Sequence, residues 1–214
     1  MILSPGRAYV FVHIPKTGGT SMALALEARA MKDDLMLGDT PKALNRRRRL
    51  RNAPSRGRLW KHSTLADIDG LPQADRLEEM FCFTLVRNPW DRAVSYYHWL
   101  RDQCFDHASV KLAQRVDFAA FLRDVSTQAA LRDWPARRYM QDASGRERCD
   151  AYIRLEHFDA DVVPLERHLG FDITLPAVNR SDRASGYRGY YDPGLRDVVA
   201  RCCAEDIRRF GYTF

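Results

Sequence analysis

The sequence predicts an α/β fold of three layers, a central and mainly parallel sheet flanked by helices, in a single domain over residues 1–214. Three observations carry this. Tyr9-Val10-Phe11-Val12-His13-Ile14 is a continuous apolar run of the kind buried on both faces of a parallel sheet, and it breaks through Pro15 and Gly18-Gly19 into an alanine- and leucine-rich helical pattern. The same grammar returns at Phe81–Val86, followed by a turn carrying Arg87 and a helix with Asn88 as cap and Pro89 at its first position. The chain of 214 residues, 45% hydrophobic and 29% charged, has the composition of a soluble globular protein long enough to bury a substantial core.

Taken in order, residues 1–7 lead directly into the first strand, leaving no room for a secretory leader. A helix is expected from Ser21 to about Met31. Residues 33–58 are of mixed polarity and contain the run Arg46-Arg47-Arg48-Arg49-Leu50-Arg51, a solvated face or mobile loop on its charge alone, and a docking surface for an acidic acceptor on a sharper reading. Leu59–Ser63 is a short apolar-to-polar segment ahead of an acidic stretch. The helix from Pro89 sets Trp90, Val94, Tyr97 and Leu100 at helical spacing, a core stripe. Phe118 to Val125 is a short amphipathic piece, and Trp134-Pro135 breaks the pattern. A further strand is expected at Ala151–Leu155, then a helix from about Asp159 to Leu169. A loop runs from Pro176 through Arg180, Ser181 and Tyr187 to Tyr191. The last helix, Pro193 to about Phe210, aligns Leu195, Val198, Val199, Cys202, Ile207 and Phe210 for packing.

The chemistry sits in the first turn. A strand running through a glycine turn into a helix leaves backbone N–H groups without intrahelical partners at the positive end of the helix dipole, and Gly18 and Gly19 allow an anion to approach that backbone. Lys16, Thr17, Thr20 and Ser21 add a cation and hydroxyls, so the stretch is a phosphate cradle on chemical grounds. Arg87, leaving the second strand where open α/β sheets bind ligands, with Ser95 two turns into the helix, suits a second phosphate.

His13-Ile14-Pro15-Lys16-Thr17-Gly18-Gly19-Thr20-Ser21, taken with Leu85-Val86-Arg87-Asn88-Pro89-Trp90-Asp91-Arg92-Ala93-Val94-Ser95, closely resembles the two nucleotide motifs of sulfotransferases that use 3′-phosphoadenosine-5′-phosphosulfate (PAPS), whose fold is P-loop-like. The resemblance is closer to the carbohydrate-type branch than to the small-molecule branch, whose first-motif variant and late Arg-Lys-Gly element are missing. It implies that Lys16, Thr17, Gly18, Gly19, Thr20 and Ser21 hold the 5′-phosphosulfate and that Arg87 and Ser95 hold the 3′-phosphate. A segment similar to Pro176–Ser181 lies close to the nucleotide in that family, which makes Arg180, Ser181 and Tyr187 further candidates. A His between the two motifs acts as the base there, and His62 is the matching residue. His13, within the strand, is expected to be scaffold, and Glu156 is expected to be structural. The expected reaction is in-line transfer of a sulfuryl group to an acceptor hydroxyl, with a carbohydrate as the expected acceptor class while a lipid-linked glycan and protein tyrosine are also compatible with the sequence, adenosine 3′,5′-bisphosphate (PAP) as product and no metal.

The net charge of +6 and pI near 9.2 favour anionic ligands, and the Arg46–Arg51 run (Arg46, Arg47, Arg48, Arg49, Arg51) is the candidate contact for an acidic glycan. Nucleic acid is the weakest partner class, since the run lacks aromatic interleaving or a binding motif. The five cysteines show no metal-ligand spacing, and their odd number argues for a reducing compartment. No stretch approaches the roughly 20 apolar residues of a membrane span. Golgi relatives in the carbohydrate branch carry such a span, so a soluble, bacterial, cytoplasmic enzyme is expected. Two other classes stay open: a P-loop nucleotide or small-molecule kinase, against which Lys16 precedes the glycines instead of following them, and a non-catalytic nucleotide-binding module on the same fold.

Overall fold

The computed structural model describes residues 1–176 and 186–214. Its strands are β1 (Ile2–Ser4), β2 (Tyr9–Val12), β3 (Leu35–Met36), β4 (Phe81–Val86) and β5 (Ala151–Arg154). The helices that follow through the first half are α1 (Gly19–Glu27), α2 (Pro41–Arg46), α3 (Pro89–Arg101), α4 (Ala108–Arg115), α5 (Phe118–Arg123) and α6 (Val125–Asp133). The remainder are α7 (Ala136–Tyr139), α8 (Phe158–Asp161), α9 (Val163–Leu169), α10 (Pro193–Cys202) and α11 (Ala204–Phe210). The described residues group into two compact units, one drawn from 1–86 and 136–178, the other from 87–135 and 179–214.

The first unit holds one five-stranded sheet in the order β3-β1-β2-β4-β5. β2, β4 and β5 pair in parallel, whereas β1 is antiparallel to both β2 and β3, so four strands share one direction. The expected mainly parallel sheet is thus present, with one reversed strand in residues that sequence reading treats as a lead-in. That reversal is local: a 3-10 turn at Pro5–Arg7, ending in Ala8 at φ 51°, returns the chain immediately, and only antiparallel neighbours can be joined so briefly.

Alternation explains the core of this unit. Tyr9, Phe11, Phe83, Leu85, Ala151 and Ile153 share one face and pack on Met22, Ala23 and Leu26 of α1 and on Leu165 and Leu169 of α9. Val10, Val12 and Thr84 on the other face are also fully buried, which is why the strands read as unbroken apolar runs. The one hydroxyl among them, on Thr84, donates to the Val12 carbonyl at 2.7 Å.

The second unit is helical. Trp90, Val94, Tyr97 and Leu100 of α3 form the expected stripe and pack with Phe118, Phe121 and Leu122 of α5 and Leu195, Val198, Val199 and Cys202 of α10. Asn88 caps α3, its side chain accepting from the Trp90 amide at 3.1 Å, with Pro89 next in the chain.

Three boundaries differ from sequence expectation. The first helix begins two residues early, at Gly19, and ends at Glu27. The stretch expected as one helix over 159–169 is divided, and Pro164, which has no N–H to continue an α-helical ladder, lies in the first turn of α9. The C-terminal helix also divides, at Cys203, where φ and ψ of −106° and 22° leave the helical region.

Candidate active site

The turn after β2 is built on backbone conformation. Lys16 has φ 66° and Gly18 has φ 86°. A non-glycine residue held there costs roughly 1–3 kcal/mol, so the surrounding loop must enforce it. Thr17 does so: it is 1% exposed and its hydroxyl donates to the Ile14 carbonyl at 2.9 Å. The hydroxyl hydrogen is therefore engaged inside the loop, whereas sequence reading counts it among the donors offered to an anion. Gly18 is the N-cap of α1, and no side chain caps that end. The amides of Gly19, Thr20 and Ser21 consequently have no intrahelical carbonyl to reach, in the arrangement that attracts anions.

Gly19 is required by space. A Cβ there would lie 2.0 Å from Cδ2 of His13, so the imidazole of His13 fills the floor beneath the helix start. His13 is 7% exposed, stacks on Phe11 (centroids 5.9 Å, 18°) and meets His62 edge to face (4.6 Å, 70°). Burial lowers its pKa well below the usual histidine range, so it is neutral scaffold.

His62 comes from the distant segment 58–63 and is joined to the same spot by a backbone contact. Its Nδ1 lies 2.7 Å from the His13 carbonyl oxygen. A carbonyl only accepts, so Nδ1 carries the proton and donates, and in the neutral ring Nε2 carries the lone pair. Burial, the largest cause, pulls the His62 pKa down to about 4, opposed by that hydrogen bond and assisted by the Lys61 charge. At neutral pH His62 is thus an uncharged base with one nitrogen fixed and the other available to accept. The segment that carries it is tightly turned: the buried Ser63 hydroxyl accepts from the Trp60 amide at 2.9 Å and lies within hydrogen-bond distance of the Arg58 and Trp60 carbonyls (2.8 and 2.9 Å).

In the second unit, Arg87 immediately follows β4. Its Nε and Nη2 both donate to Oδ2 of Asp91, at 2.9 and 2.6 Å, which fixes the plane of the guanidinium. Ser95 is 6% exposed and stands one helical turn beyond Asp91, on the same face of α3. Sequence reading names Arg87 and Ser95 and does not name Asp91, although its spacing of four from each is the signal that could have drawn attention to it. Tyr187 lies in a 3-10 turn, Tyr187–Tyr190, packs edge-on against Phe214 at 5.7 Å, and accepts a long hydrogen bond (3.4 Å) from the Asn88 cap. Arg180 and Ser181 lie outside the described residues.

The arginines of the run differ in their hydrogen bonding. Arg46 donates to the carbonyls of Met31 (2.8 Å) and Asp34 (3.3 Å), and Arg49 donates to that of Lys32 (2.5 Å), so these two bind the chain to itself. Arg47, Arg48 and Arg51 are exposed, as is Arg49 despite its bond to Lys32. Glu156 is exposed in a 3-10 turn, and its neighbour Arg154 is engaged by Asp161 at 2.7 and 2.9 Å. Among the described residues no group of three or more His, Cys, Asp or Glu could hold a metal ion, and no helix is long and apolar enough to cross a membrane.

Comparison with known proteins gives one family model, described as "Sulfotransferase family", matching residues 1–213. No curated protein matches. Among solved structures, mouse sulfotransferase SULT7A1 complexed with PAP is similar at 17% identity over 96% of this chain and 86% of that one, with a TM-score of 0.46. Because the family model spans nearly the whole sequence, both strand-turn-helix motifs and His62 included, the chain belongs to the sulfotransferase family.

Proposed function

We propose that the protein transfers a sulfuryl group from PAPS to a hydroxyl of a carbohydrate acceptor, as one catalytic domain with His62 as general base. The observation that carries this reading is the 2.7 Å contact between His62 Nδ1 and the His13 carbonyl oxygen, which assigns the ring proton to Nδ1 and leaves Nε2 as the acceptor. The residues of that turn fit a phosphosulfate. The α1 amides of Gly19, Thr20 and Ser21 are uncapped, Gly18 and Gly19 let the turn close down on Leu155 and His13, and Lys16 supplies a cation.

In this reading His62 Nε2 takes the acceptor proton as the acceptor oxygen forms its bond to sulfur and the bond from sulfur to the 5′-phosphate oxygen breaks. Lys16 and the loop amides neutralise charge developing on that departing oxygen, and PAP leaves. Arg87, held in plane by Asp91, and Ser95 bind the 3′-phosphate, with Tyr187, Arg180 and Ser181 as further contacts. Exposed Arg47, Arg48 and Arg51 favour an acidic glycan, whereas Arg46 and Arg49 serve the fold. A cytoplasmic setting belongs to the same proposal and rests on five unpaired cysteines.

Thermal stabilisation by nucleotides tests the donor. PAP is expected to raise the melting temperature well above the effect of ATP with magnesium, because ligand linkage scales with affinity. Equal shifts, or a larger one with ATP, would favour the kinase alternative.

A further inference from the structure

The segment that carries His62 also presents an unusual pair of side chains. Trp60 is 43% exposed, a large apolar surface left in water, and its indole meets the His62 imidazole at 86° with centroids 5.0 Å apart. The Arg58 guanidinium lies over the indole, 5.3 Å from its centroid. Neither side chain serves the core. The backbone beneath them is nevertheless held firmly, by the Ser63 hydroxyl contacts to Arg58 and Trp60 and by the His62 bond to His13. An exposed aromatic on a rigid support loses little conformational freedom on binding, which is the property of an anchor residue.

We infer that Trp60 and Arg58 form the acceptor platform, and that the unit seated on it is an acidic saccharide. The indole offers a flat apolar surface to the C–H face of a pyranose ring, while a carboxylate or sulfate on that ring pairs with the Arg58 guanidinium. With the indole and imidazole centroids 5.0 Å apart, a unit seated on this platform would lie beside the base, with a hydroxyl of that unit or its neighbour as the one presented to His62 Nε2. This inference rests on the sulfuryl-transfer proposal for the identity of the reaction, and on Arg58, Trp60 and their supports for the identity of the acceptor.

Calorimetric binding to the 214-residue chain tests it with three probes: a glucuronate-containing oligosaccharide, its carboxyl-reduced counterpart and a tyrosine peptide. The acidic oligosaccharide is expected to bind most tightly. Trp60→Ala should weaken both saccharides by at least about fivefold, and Arg58→Gln should weaken the acidic one alone, with affinity for PAP unchanged in both variants. Undiminished binding of the acidic oligosaccharide by the two variants overturns the assignment, as does a tyrosine peptide that binds more tightly than either saccharide. Turnover from labelled PAPS is read separately. Saccharide binding that depends on Trp60 without turnover supports the platform and removes the reaction, whereas turnover with binding indifferent to Trp60 removes the platform and keeps the reaction.

Discussion

Replacing Gly19 by Ala puts a single methyl group at the point where the helix start, His13 and His62 converge. The added Cβ would lie 2.0 Å from His13 Cδ2 and 2.4 Å from Nε2, about 1 Å inside the 3.0 Å that real contacts respect. His13 cannot turn aside, being wedged between Phe11 and His62 with 7% of its surface exposed. Overpacking of this kind costs about 1–3 kcal/mol, whereas the helix preference for Ala over Gly returns at most about 1 kcal/mol. An overlap of about 1 Å against a ring that cannot move belongs to the upper part of the overpacking range, about 2–3 kcal/mol, so a net loss of about 1–2 kcal/mol is expected, or a melting temperature lower by roughly 2–8 °C for a chain of this size. Urea unfolding should show a lower midpoint at unchanged slope. The Gly19→Ala/His13→Ala double variant should lose less than the two single losses added together, since removing the imidazole makes room for the methyl. Gly19→Ala as stable as the parent, or strictly additive losses, would refute the packing described here.

His62 should set the acid limb of the pH profile. The group is active when neutral, so kcat/KM is expected to hold from neutrality down and fall only near pH 4, whereas an unshifted histidine would put the fall near 6.5. The same depressed pKa has a stability consequence. The unfolded chain binds the His62 proton from about pH 6.5 downward while the folded one resists it until about 4, so folding stability contributed by this group is full above 6.5 and declines as pH falls through that window. At the other motif, Arg87→Ala should lower PAP affinity by about tenfold or more, through loss of charged hydrogen bonds worth about 1.5–3 kcal/mol. Asp91→Asn should lower it less, since an amide oxygen can still accept from Arg87. Calorimetric titration of PAP reads both, and an Arg87→Ala variant with parental affinity would remove Arg87 from the site.

Which parts of this were legible in the sequence follows from the range of the interactions involved. β2, β4, β5 and the starts of α1 and α3 announce themselves through apolar runs, Gly18-Gly19 and the Asn88-Pro89 cap, all local signals. β1 and β3 are three and two residues long, too short to show a period, and their pairing depends on neighbours supplied by the fold. Lys16, Arg87 and Ser95 could be named from motif spacing. That the Thr17 hydroxyl is turned inward to Ile14, and that Arg46 and Arg49 bind carbonyls at 31–34, depends on where backbone oxygens lie, which side-chain pattern does not encode. The clearest case is His62: its candidacy is readable as a His between two phosphate motifs, but its tautomer is set by a carbonyl 49 residues earlier.

Transfer of labelled sulfate from PAPS to an acidic oligosaccharide, measured for the parent and for His62→Ala with PAP affinity determined alongside, bears most directly on sulfuryl transfer with His62 as base. The parent should turn over, and the variant should lose about 10²–10⁴-fold in kcat while binding PAP as before. Undiminished turnover by His62→Ala, with Glu156→Gln inactive, would contradict it and move the base to the carboxylate.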